Sequence, residues 1–168
     1  PATIAAEFAK PGIGEAITPG LRVAITAGSR GIDRIAQVLR AVVDQVKARG
    51  GQPFIVPAMG SHGGATAEGQ VELLAHYGIT EEAMDTVLLG EVHHGDEDVP
   101  VYFDRIAYEQ ADAVIVVGRV KPHTDFHGPI ESGLMKMIAI GLGKQKGADT
   151  FHSRGFPVFH PLIPAVGQ

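Results

Sequence analysis

Apolar residues recur along this chain in two alternating rhythms. Leu21 to Thr26 is a short β-branched run that reads as a strand. From Ile32 to Arg49 the positions Ile32, Ile35, Ala36, Leu39, Val42, Val43 and Val46 fall on one helical face, and Gly50 and Gly51 end that helix. Pro53 to Pro57 (PFIVP) repeats the strand, Ala58 to Ala65 reads as a loop, and Thr66 is placed to cap a helix that runs to Tyr77 and closes at Gly78. Thr80 caps a further short helix through Met84. Thr86 to Val92 and Pro100 to Phe103 are candidate arms of a β-hairpin around the acidic turn His93 to Asp98. Ala113 to Gly118 (AVIVVG) is the strongest buried-strand signal, followed by a long polar loop and a helix around Leu134 to Ile140.

This alternation predicts an α/β fold of Rossmann-like type, with a mostly parallel central sheet, helices on both faces and the hairpin as an addition. Pro11, Gly12, Gly14, Pro19 and Gly20 set residues 1–20 apart as an N-terminal arm, with a helical turn or two between Ile4 and Lys10. Residues 21–150 form the α/β domain. Residues 151–168 carry three prolines and little charge, and read as a tail or helix entry leading to a second, C-terminal domain outside this chain.

Composition narrows the chemistry. At 168 residues, with 45% hydrophobic and 20% charged residues, the chain has the makings of one folded domain. Fourteen Lys and Arg against nineteen Asp and Glu give a net charge of −5, which repels polyanions and excludes nucleic acid as an expected partner. The absence of Cys removes thiolate metal sites and Cys nucleophiles. The longest apolar run, Ala113 to Val117, is far short of a membrane span, and the N-terminus lacks a basic-then-apolar signal, so the expected setting is cytoplasmic with no membrane partner. Eight His supply groups that titrate or bind metal near neutral pH.

In a parallel sheet, ligands bind outside the carboxyl ends of the strands, and the loops after the three strongest strands carry Arg30 (AGSRGI), His62 (GSHGGAT) and His123 (RVKPHTDFHGPIESG). Arg30 suits a two-pronged grip on a carboxylate. Gly60 to Gly69 runs into a helix N-terminus, a place for an anion. His123 and His127 are four residues apart, but Pro122, Gly128 and Pro129 oppose a helix there, so the spacing establishes no metal site. Lys136 follows Ser132 and Gly133 among Leu134, Met135, Met137 and Ile138, where partial burial would lower its pKa and make it a nucleophile. His93 and His94 read as solvated turn, and His76 and His160 carry no assigned role.

Taken together, Arg30, the Gly60-Ser61-His62 loop, Pro122-His123, the Ser132-Gly133-Leu134-Met135-Lys136 segment and the later His152 make five ordered features. Over about residues 20 to 155 the chain resembles the N-terminal catalytic region of the nickel-pincer lactate racemase family. The resemblance implies that Lys136 anchors the pyridinium-3,5-bisthiocarboxylic acid mononucleotide cofactor through a thioamide, with Ser132 and Gly133 beside it, and that His152 is the protein ligand of nickel. It implies an acid/base pair of His62 and His123, with His127 as the alternative to His123, and Arg30 on the substrate carboxylate. The expected activity is racemisation or epimerisation of a small 2-hydroxy acid by hydride transfer, in an enzyme completed by its C-terminal domain and compatible with a homo-oligomer. Two other function classes are weighed against it: a zinc hydrolase using His62, His123 or His127, and His152, and a non-catalytic anion-binding module.

Overall fold

Among the described residues, the first strand of the chain is also the most buried. In the computed structural model, which describes residues 1–28, 31–80, 92–94, 100–123, 125, 127–128, 130–155 and 159–167, β1 (Arg22–Ala27) lies between β2 (Gln52–Pro57) and β5 (Ala113–Ile115), both parallel to it. Arg30, the helix expected from Thr80 to Met84 and most of the strand expected from Thr86 to Val92 lie outside the described residues.

Both faces of the sheet are covered, as the unbroken burial of Val23–Ala27 and Phe54–Pro57 requires. Val23, Ile25 and Ala27 of β1 pack on one side with Ile55 and with α2 (Ile35–Ala48), which buries Ile35, Leu39, Val42, Val43 and Val46. The three buried valines of this helix cost up to about 0.7 kcal/mol each in propensity, whereas full burial of each stabilises by roughly 1.5–3 kcal/mol, so packing decides that this segment is helical. Ile4 and Phe8 of α1 (Ala2–Phe8) join the same cluster, and the Arg49 guanidinium donates to Phe8 O and stacks over its ring, which docks the expected arm onto the domain. On the opposite side, Ala24, Phe54 and Val56 meet Ala107 of α4 (Arg105–Gln110) and Leu142. The Rossmann-like α/β architecture is therefore present, with helices on both faces of a parallel sheet.

Two expectations are corrected, and for a third one of its two readings is chosen. The AVIVVG run pairs only through Ile115 and is half-buried, with Val114 36% exposed; among the described residues it is an edge strand. Its continuation is held by a side chain instead, since Thr26 Oγ1 accepts from Val117 N (2.8 Å) and donates to Val117 O (3.3 Å). His93 and His94 are not turn residues: they lie in β3 (Val92–His94), antiparallel to β4 (Tyr102–Asp104), so the hairpin pairing is present with its strand shifted toward the acidic segment. The 151–168 tail also begins inside a helix, α6 (Lys144–His152), and ends in another, α7 (Phe159–Gly167), which buries Phe159 and Ile163 against Ala139, Ile140, Ala148 and Phe151. Pro164 within α7 hid an i, i+4 apolar spacing that a proline-free segment would have advertised. Among the described residues no helix is long and apolar enough to cross a membrane.

A polar tie runs through the middle of this structure. Lys144, only 3% exposed, ion-pairs with the fully buried Asp104 (2.9 Å), and its Nζ donates to Gln70 Oε1 (3.3 Å) and to Pro57 O at the end of β2. Burial pushes the Lys144 ammonium below its ordinary pKa while Asp104 opposes the shift. Asp104 also accepts from Ala107 N (2.8 Å), capping α4. Removing one member of a buried pair leaves the other uncompensated, which costs about 3–5 kcal/mol, whereas replacing both by apolar groups costs far less. Asp104→Ala should therefore destabilise by about that amount in urea unfolding at neutral pH, and the Asp104→Leu/Lys144→Met double variant should recover part of it. A loss below about 1 kcal/mol for the single variant would contradict the pairing.

Candidate active site

All three strands of the parallel sheet end at one cleft of about 380 Å³, within the roughly 300–1,000 Å³ usual for small-ligand sites. Gly28, Gly31 and Ile32 come from the loop after β1, Met59 to His62 from the loop after β2, and Arg119 and Lys121 from the chain beyond β5. Ser132, Gly133, Lys136 and His152 line it from later in the chain, with Met137, Ile140, Gly141 and Ala148 between them. Five of the seven site residues expected from the sequence thus share one cleft: His62, Ser132, Gly133, Lys136 and His152.

The His62 loop is fixed from behind. Gln70, buried in α3 (Ala67–His76), donates from Nε2 to Gly60 O (3.0 Å) and His62 O (3.1 Å) while its Oε1 accepts from Lys144. Thr66 caps α3 as expected, accepting from Gly69 N (3.0 Å). Gly63 sits at φ +66°, and a Cβ there would stand 2.6 Å from Gly69 O, so only glycine allows the loop to turn this tightly onto the helix.

Lys136 ends a short helical turn, α5 (Leu134–Lys136), that continues into a π-helical turn over Met137–Gly141, closed by Leu142 N donating to Met137 O (2.9 Å). The Gly141 carbonyl accepts from Gly60 N (3.3 Å), joining this turn to the His62 loop. Lys136 is half-buried; burial, and secondly the Lys121 charge, push its pKa below the ordinary lysine value, with Asp125 opposing. His152 closes α6 and reaches the same cleft.

His123 stands beside the cleft rather than on its lining. Its side chain is 9% exposed, and its ring meets Phe159 edge-on (6.3 Å between centroids), as does the His152 ring (5.4 Å). Nδ1 accepts from Asp125 N (3.1 Å), so the neutral ring carries its proton on Nε2. Burial, then the Lys136 and Lys121 charges, lower the His123 pKa, against the carboxylates of Asp125 and Glu131. His127, by contrast, is 86% exposed and faces Glu131 (3.2 Å). Glu131 organises the loop: it accepts from His123 N (2.9 Å) and Gly128 N (3.1 Å), and these backbone bonds hold its carboxyl below the usual carboxylate range.

Gln70, Lys144 and Phe159 shape the site and were missed in the sequence. The signal for Gln70 was its place one helical turn before the buried Leu74; for Phe159 it was the spacing to Ile163. Among the described residues no carboxylate lines the cleft, and no three His, Asp or Glu gather to hold a metal ion by themselves.

Because burial and a like charge both lower the Lys136 pKa, its amine should acylate at lower pH than an ordinary lysine. Lys121→Gln removes a like charge and should move the Lys136 profile to higher pH. Asp125→Asn removes an opposing charge and should move it lower. Peptide mass spectrometry after brief acylation across a pH series reads both shifts, and profiles identical to wild type in both variants would contradict this electrostatic account. Comparison with family models, with curated proteins and with solved structures finds no match, so the functional reading rests on the geometry of the cleft and on the sequence motifs that line it.

Proposed function

We propose that this chain is the cofactor-binding half of a nickel-pincer-dependent racemase or epimerase of a 2-hydroxy acid, akin to the lactate racemase family. The observation that carries this reading is the meeting of His62, Ser132, Gly133, Lys136 and His152, from separate segments, on one cleft at the carboxyl edge of the sheet. The donor set suits the group: a half-buried amine of depressed pKa is the nucleophile that covalent anchorage needs, and one imidazole on the same wall suits nickel whose other ligands arrive with an organic molecule. When bound, the cofactor supplies a hydride acceptor, which the chain's own side chains lack.

The chain's residues handle the proton and the pose. Inversion requires a proton acceptor at the substrate hydroxyl for either enantiomer, a role for His62 from the cleft wall and His123 from beside it. Nδ1 of His123 faces both the Asp125 amide (3.1 Å) and the Asp125 carboxylate (3.7 Å). Accepting from the amide leaves the proton of the neutral ring on Nε2, while the carboxylate beside it favours the charged, doubly protonated ring. Arg30 grips the substrate carboxylate in this reading, and a further domain closes the cleft against water. The zinc-hydrolase alternative needs three clustered protein ligands, and the described residues gather none.

Intact-protein mass spectrometry on chain made in cells that synthesise the cofactor tests the proposal. Wild type should carry the cofactor mass on Lys136. Lys136→Ala and Lys136→Arg should both lack it, the latter because a guanidinium does not lose its proton to act as a nucleophile. His152→Ala should keep the adduct but lose nickel at least about tenfold, the loss of one ligand's worth of binding. Stoichiometric nickel in the His152 variant removes that ligand; an unmodified wild-type chain removes the proposal.

A further inference from the structure

Two cations on the cleft wall have no part in the scheme above. Arg119 and Lys121 lie in extended chain beyond β5, and Val120 between them is 80% exposed. The alternation of an extended segment therefore turns the two charged side chains toward the cleft that both of them line and the valine toward water. Residues two apart in such chain are roughly 7 Å apart, close enough for two long side chains to converge on one oxyanion. Arg119 is anchored by Nη1 donating to Gly31 O (3.2 Å), which bridges the loops after β1 and β5 and engages one of its five N–H donors.

The wall itself does not offset this concentration of like charge. The chain has a net charge of −5, yet among the described residues no carboxylate lines this cleft, and neither Arg119 nor Lys121 forms a salt bridge. The Lys121 charge reaches as far as Lys136 and His123, depressing the pKa of both, so the cations face one another across the cleft without a counter-charge on its wall.

We infer that Arg119 and Lys121 form a subsite for a phosphate monoester group. A phosphate monoester carries roughly −1.5 to −2 near neutral pH and so balances two cations, whereas a carboxylate balances one. The guanidinium offers a planar fork for two phosphate oxygens and the ammonium a mobile point charge, a division of labour common in phosphate recognition. The subsite stands on the wall geometry; its assignment to the phosphate of the mononucleotide cofactor rests on the proposed function.

The test uses the whole chain purified without organic cofactor and calorimetric titration with inorganic phosphate, nicotinic acid mononucleotide and the corresponding riboside that lacks phosphate. The mononucleotide should bind at least about tenfold more tightly than the riboside, with affinity falling as salt is added. Arg119→Gln and Lys121→Gln should each weaken mononucleotide binding about tenfold and leave riboside binding unchanged, while the remote Lys10→Gln changes neither. Both altered side chains are exposed, and thermal unfolding verifies that the variants fold. If inorganic phosphate binds, weakens in both variants and is matched but not exceeded by the mononucleotide, the subsite stands and the mononucleotide assignment falls. If phosphate and mononucleotide both fail to bind, or both variants bind them as wild type does, the subsite is overturned.

Discussion

An ammonium taken out of water must be compensated on every side, and at Lys144 the compensation comes from three distant parts of the chain. Asp104 supplies the charge, Gln70 an amide oxygen and Pro57 a backbone carbonyl. Lys144 itself is held at φ +54°, a left-handed conformation that non-glycine residues adopt only when their surroundings over-determine it. The gain is positional. Through Gln70 the same tie holds Gly60 O and His62 O, so the end of β2, the first turn of α3 and the start of α6 are fixed relative to one another before any ligand arrives.

Charge is sorted by use around the cleft. Two carboxylates of the domain serve the backbone: Asp104 caps α4, and Glu131 gathers the amides of His123 and Gly128 into a closed loop. The cleft wall is left cationic, with Arg119, Lys121 and Lys136 in a protein whose overall balance is acidic. A low-charge core and acidic exterior thus surround a small region of opposite sign, the arrangement that concentrates anions locally while repelling large polyanions.

The sequence disclosed what depends on periodicity and on punctuation. α2 and α3 carry unbroken helical spacing, and β1 and β2 are short apolar runs bounded by glycine and proline, so each was visible within a few residues of its true limits. His62 and Lys136 were visible because each sits in a motif of glycine, serine and ionisable residues beside an apolar run, and His152 entered through the resemblance alone. Gln70, Lys144 and Asp104 were not, since a lone polar residue defaults to the surface and their partnership joins positions up to 74 residues apart. The richness of AVIVVG in β-branched residues reported burial but not lateral place in the sheet, which depends on pairing partners that no local window contains.

The π-helical turn over Met137–Gly141 fixes an angular relation between two lysines with opposite fates. A π turn takes in one residue more than an α turn, and one residue of helix is about 100° of rotation. With that residue, Lys136 faces the cleft while Lys144, at the head of the next helix, faces the core. Deleting it would let Met137–Gly141 relax to an α turn but would rotate Lys136 relative to the chain that leads through the left-handed Lys144 into α6, taking one ammonium out of the cleft or the other out of the core. The widened turn is therefore a phase-setting element, and the length of this segment is constrained as tightly as its residue types.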